Sequence, residues 1–256
     1  TYRFGYYGIT NTISLQQSYE AEYGGRAIHF TPNVDLQVFH SEGRSALAAG
    51  PKWQVFCYAR PRHPRNAFQL VAAAMRILKK NLGRRVRIVC AGGQWDAAQY
   101  GLDGVVENLG VLPYRETAEL YRQSDVGVAL MLTRHPSYIP LELMASGCLV
   151  VTNRNYWTRW LLEDGLNCLL SDASPSSIAA KVELALTNEE LRRQIATYAE
   201  RFVRERYADW TPEMERVYEF LCDPEAAPRA ETPDLKSVHI LRSDTAAGFR
   251  ARSANS

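Results

Sequence analysis

Short apolar runs alternate along this chain with longer segments of helical period, and that rhythm excludes most architectures. WQVFCYA at 53–59 reads as a strand, RVRIVCAGG at 85–93 as a strand ending in glycines, DVGVALML at 125–132 as a continuously apolar strand and CLVVTN at 148–153 as the next. VVENLGVL at 105–112 and NCLL at 167–170 add shorter ones. Between them, residues 66–81 place Phe68, Val71, Ala72, Met75 and Leu78 on one helical face. Residues 114–124 and 189–207 also read as helices. Pro140 to Ser146 reads as a short helix, with proline pre-set for a first turn and Gly147 suited to the position after the last. Ser174 before Pro175 and Thr211 before Pro212 predict two further helix starts. Strands alternating with helices predict an α/β fold, a Rossmann-like parallel sheet flanked by helices, with a C-terminal helical segment and a tail.

At 256 residues the chain can bury one large core or two small ones. Residues 1–26 read as the end of a preceding acceptor domain or a first β/α unit, 27–222 as the main domain, and 223–256, with no apolar period, as a disordered tail or linker. A net charge of +2 is too balanced to argue for nucleic acid. The cations are uneven, 25 Arg against 5 Lys. Either this is genome composition or some arginines are phosphate forks, and only position decides. The five cysteines lack metal-ligand spacing and read as buried, reduced thiols of a cytoplasmic protein. No run approaches the ~18 apolar residues of a membrane span.

Ligands of parallel sheets sit beyond the carboxyl ends of the strands. In YARPRHPRNAF, Arg60 leaves a strand and Arg65 stands where a helix begins. Two guanidinium forks beside a helix N-terminus suit a diphosphate; a basic surface loop is the plainer alternative. Gly92 and Gly93 permit close backbone approach or merely form a turn, and they are not a G-x-G-x-x-G fingerprint. After residue 132 comes RHPSYI, where backbone N–H groups of Ser137 to Leu141 are available at a helix start. Glu142, on the first turn, either complements the helix dipole or accepts from a vicinal diol such as ribose. His135 has no evident carboxylate to orient it, and FTPNVDLQVFH at 30–40 reads as a linker anchored by Phe39.

Taken in order, these pieces resemble the donor-binding half of a GT-B-fold glycosyltransferase of the retaining family 4. PNVDLQVF matches that family's linker with one residue missing, and Ala59-Arg60 with Arg65-Asn66 matches its basic loop. VENLGVL, LYRQSDVGVAL and LELMASGCLVVT match its later signatures. The resemblance implies that Arg60 and Arg65 hold the donor's diphosphate and stabilise charge on the leaving group. It further implies that Glu142 accepts the ribose hydroxyls, that backbone around Ser137 and Tyr138 holds phosphate, and that loop 109–112, with Leu109 and Leu112, lies near the base. Where the family carries a second glutamate that contacts the transferred sugar, eight positions before Glu142, this chain has Arg134, taken as a donor-site residue that contacts phosphate instead or else points to solvent. The HPSY-x-PLE form is similar to bacterial rhamnosyltransferases that use a dTDP-deoxysugar.

The expected activity is transfer of a sugar from a nucleotide diphosphate to a glycan or lipid-linked acceptor, in polysaccharide synthesis, with a further N-terminal domain holding the acceptor. The expected place is the cytoplasm, with peripheral attachment to the inner membrane face as an option. No cofactor is expected, and no metal, since no carboxylates cluster to hold one. Two rivals stand beside this reading: a non-catalytic module derived from such an enzyme, and a sugar-nucleotide epimerase of the same fold. An NAD enzyme is disfavoured by the missing glycine fingerprint.

Overall fold

A computed structural model describes residues 2–44, 53–135 and 137–230. Its main unit is a six-stranded, all-parallel sheet of order β5-β4-β3-β6-β7-β8. The strands are β3 (Trp53–Tyr58), β4 (Val86–Ala91), β5 (Glu107–Asn108), β6 (Val126–Val128), β7 (Leu149–Asn153) and β8 (Leu169–Ser171). Side chains alternate between two buried faces, so a strand covered on both sides reads as one apolar run. Val55, Cys57 and Ala59 point into one core; Phe56 points into the other. The first core is closed by α2 (Phe68–Leu82) and α5 (Pro175–Thr187), which pack on each other. The second is closed by α3 (Tyr114–Gln123), α4 (Ile139–Ala145) and α6 (Glu189–Arg206).

Several element ends differ from the sequence reading, each for a local reason. Helix α2 begins at Phe68 because Ala67 takes a left-handed φ of 50°, and Arg65 sits instead in a 3-10 turn over Pro64–Asn66. Strand β6 stops at Val128 because the Asn153 side chain takes over the pairing: its Oδ1 accepts the Met131 N–H at 2.8 Å and its Nδ2 donates to the Met131 carbonyl at 3.0 Å. Strand β5 keeps only Glu107 and Asn108 of the predicted 105–112. Ser174 caps α5 through the Ser177 N–H, as its position predicts. Thr211 caps nothing; it is the first residue of α7 (Thr211–Cys222), and Asp209 accepts its N–H at 2.9 Å.

Residues 2–29 form a small unit of their own. β1 (Gly8–Thr10) and β2 (Ala27–His29) pair in parallel around α1 (Ile13–Tyr23). The sequence reading ended this unit at residue 26, but its second strand is Ala27–His29. A polar seam holds α1 to β2: Gln16 donates to the Ala27 carbonyl at 2.7 Å and meets His29 Nδ1 at 2.7 Å. The linker that follows is strapped to the main unit. Phe39 is fully buried between Tyr114 and Tyr121, and Arg44 donates to the carbonyls of Tyr121, Arg122, Ser124 and Ser146 at the ends of α3 and α4. Cys57, Cys90, Cys148 and Cys168 are buried and Cys222, at the end of α7, is exposed. Most of the tail predicted as disordered lies outside the described residues.

Candidate functional site

The strand order reverses between β3 and β6: the chain builds outward from β3 to β5, then returns to build from β6 to β8. The loops leaving β3 and β6 therefore part at their carboxyl ends and leave a crevice, the usual ligand position in such sheets. The Leu132 N–H donates to the Arg65 carbonyl at 2.9 Å, which brings the two loops together. On the β3 side, Arg60 Nη1 donates to the Tyr58 hydroxyl at 3.3 Å. Arg65 is exposed, and its charge reaches His135 across the crevice.

The glycine turn after β4 backs Arg60. Gly92 has φ 117°, and a Cβ there would meet the Tyr58 ring at 2.5 Å; one on Gly93 would lie 3.4 Å from the Ala59 carbonyl oxygen. At Gly92 only glycine lets this turn lie flat against the β3 loop, whereas a Cβ on Gly93 would make an ordinary contact. The turn also carries the 109–112 loop, because Gly92 N–H donates to the Gly110 carbonyl at 2.8 Å and Leu109 N–H to that of Cys90 at 2.8 Å. Leu109 is exposed, and Leu112 packs partly buried on the second core.

On the β6 side, Ser137 adopts a left-handed φ of 61° and begins the turn into α4. Two of the N–H groups expected to be free are occupied: that of Ser137 donates to His135 Nδ1 at 3.0 Å and that of Ile139 to Ser137 Oγ at 3.4 Å. Pro140 has none. Among the described residues the N–H groups of Tyr138 and Leu141 have no acceptor.

Glu142 stands on the first turn of α4, half-buried. Among the described residues nothing donates to its carboxylate and no cation pairs with it. Burial without a partner pushes its carboxyl up to about 7. Tyr114, Tyr121 and Tyr138 surround it closely enough to feel its charge; burial raises each phenol first and Glu142 raises it further. A half-hidden acceptor ringed by phenols and lacking a donor suits a ligand that brings hydroxyls.

Arg134 turns away from this carboxylate. Its guanidinium lies 4.3 Å over the Trp157 ring and donates to Ser18 Oγ on α1. It joins the small unit to the main one. Sequence reasoning missed the residues that make these loops rigid. Asn155 donates to the carbonyls of Met131 and Thr133 and caps the turn at Trp157, so two asparagines two positions apart at a strand end were the available signal. Among the described residues, fully buried Asn66 has neither amide atom paired, and Thr133 Oγ1 is likewise unpaired. No signal marked these, because burial is a property of the assembled loops. No group of three or more His, Cys, Asp or Glu side chains is placed to hold a metal ion among the described residues.

The family model described as WsaF, C-terminal domain, matches residues 53–183, from the first strand of the main sheet to the middle of α5. The chain belongs to the WsaF C-terminal domain family. This WsaF-type domain is 44% identical over 238 residues to the O-antigen biosynthesis protein RfbC of Myxococcus xanthus. The match takes in 93% of the chain but spans only 18% of that relative's length. The WsaF-type domain also shares its fold with the C-terminal domain of the glycosyl transferase group 1 family protein LpcC from Francisella tularensis. That likeness has a TM-score of 0.59 at 23% identity, covering 68% of this chain and 98% of the other. Anabaena Alr3699/HepE, solved in complex with UDP and glucose, gives a TM-score of 0.67 at 17% identity, covering 84% of this chain and 62% of its own. The architecture is thus that of one half of a GT-B glycosyltransferase. Among the described residues no helix is long and apolar enough to cross a membrane.

Proposed function

We propose that the crevice between β3 and β6 binds a nucleotide-diphosphate sugar and that the domain, within a larger protein, delivers the sugar to an acceptor hydroxyl during polysaccharide synthesis. The observation that carries this reading is Glu142, an acceptor without a donor at the mouth of the switch point. Arg60 and Arg65 supply positive charge from the facing loop, and the N–H groups of Tyr138 and Leu141 add donors. In the transfer, the bond from the anomeric carbon to the diphosphate breaks, the acceptor oxygen takes its place, and the acceptor's hydroxyl proton passes to the departing diphosphate. The leaving diphosphate gains charge, which the guanidiniums of Arg60, held on the Tyr58 hydroxyl, and of the exposed Arg65 stabilise as a divalent ion does elsewhere. The reading is therefore metal-independent, and a dTDP-linked deoxyhexose is the donor suggested by the HPSY motif. The name of the Myxococcus relative supports polysaccharide assembly, and the UDP complex supports a nucleotide sugar.

Titration calorimetry against dTDP, UDP, GDP and ADP tests this. Arg60→Ala should lose about tenfold in affinity for the preferred diphosphate, one charge-assisted bond's worth. Glu142→Ala should weaken the nucleotide but leave inorganic pyrophosphate nearly unaffected; an equal loss for both ligands removes the ribose role. A second reading, a nucleotide-binding module without turnover, is favoured by one observation: Arg134 fills the place of a carboxylate and is engaged with Trp157 and Ser18. Nucleotide-sugar turnover by the full-length protein separates the two.

A further inference from the structure

We infer that His135 is a positioning residue, whose imidazole sets the left-handed turn that starts the Glu142 helix and ties that turn to the small N-terminal unit. The inference rests on the donor-site reading above and adds a residue to it. His135 Nδ1 accepts the N–H of Ser137, two positions on, at 3.0 Å. Asparagine side chains make the same i to i+2 bond in Asx turns, and Nδ1 occupies on histidine the place of Oδ1 on asparagine. Ser137 is one of two non-glycine residues with positive φ among those described, a conformation that needs an outside hold. Beyond it, Ser137 Oγ accepts the Ile139 N–H at 3.4 Å, and the next residue's carbonyl, that of Tyr138, accepts the Glu142 N–H at 3.0 Å.

The other ring nitrogen faces the small unit. The amide of Asn11, between β1 and α1, lies 2.5 Å from His135 Nε2. The Asn11 atom placed there is Nδ2; because Nδ1 is an acceptor, the neutral ring carries its proton on Nε2, so the Asn11 amide is assigned the flipped orientation that presents Oδ1 to it. Neutrality is required, since an imidazolium has no lone pair for Ser137. Burial first, and the Arg65 guanidinium second, hold the ring below its ordinary pKa. One side chain thus meets both the small unit and the loop whose free N–H groups face the crevice.

The test combines amide exchange with nucleotide titration on the chain as it stands. In His135→Ala the Ser137 N–H should lose protection and the affinity for UDP or dTDP should fall about tenfold as the loop donors lose their aim. His135→Asn should restore both, to within about twofold, because Oδ1 replaces Nδ1. Asn11→Ala should leave Ser137 protected while raising exchange in α1. Unchanged affinity in His135→Ala, with the native chain binding nucleotide, overturns the inference alone. Failure of His135→Asn to rescue overturns it too, and shows the ring acting through bulk packing. If the native chain binds none of UDP, dTDP, GDP and ADP, the donor-site reading falls and the positioning role falls with it.

Discussion

At the residue scale, Glu142 is the described carboxyl whose environment raises its pKa. Its folded pKa of about 7 lies above the 4.5 of an ordinary carboxyl, so the folded protein holds a proton that the unfolded chain releases. Its contribution to stability is complete below pH 4.5 and is lost as pH rises through about 7. Glu142→Gln, which cannot ionise, should be more stable than the native chain at pH 8, by at most about 3 kcal/mol, and indistinguishable from it at pH 4. Urea unfolding at the two pH values reads this directly. Equal curves at pH 8 mean that the carboxylate has found a donor within the protein. The residue was visible in the sequence as an acid on a first turn. Its lack of a partner was not, because that depends on Tyr114, Tyr121 and Tyr138 converging from two helices and leaving no cation in reach.

At the scale of elements, the alternation of apolar runs predicted the main sheet and its flanking helices, because both cores leave the strands no polar side to show. The element ends were less legible. Ala67 in a left-handed conformation and an asparagine replacing ladder pairs at Met131 are local substitutions of one hydrogen bond for another, with no periodic trace. The same holds for Arg134, whose partners Ser18 and Trp157 come from distant parts of the chain. Packing between elements is tight where α4 crosses β6: a Cβ on Gly127 would lie 2.5 Å from Leu143 Cδ1, and Leu143 is itself fully buried. Gly127→Ala should therefore overpack this junction and cost about 1–3 kcal/mol, measured by thermal or urea unfolding. A neutral result would show that α4 can slide on the sheet, and with it Glu142.

At the scale of the whole molecule, two sheets share one chain and are joined by a strap. Residues 33–44 are fixed along their length, by the Val34 N–H to the Tyr207 carbonyl at 2.7 Å, by Arg122 on the Val38 carbonyl, by the buried Phe39, by Ser41 on Glu200 and by the Arg44 guanidinium on four carbonyls. Phe39 stands edge-on to Tyr114 at 4.9 Å and stacks on Tyr121 at 5.8 Å, so the strap presses on the phenols that surround Glu142. Phe39→Ala should cost about 3–5 kcal/mol and loosen those rings together. Tyrosine fluorescence during urea unfolding would register both effects. The thiols carry a different consequence. Four are sealed inside, and burial pushes Cys148 and Cys168 up to about 12, whereas Cys222 alone meets solvent at the tip of α7. A maleimide dye should therefore attach at one position on the unmutated chain, on the helix that packs against β2, supplying a ready-made beacon for watching the two sheets move.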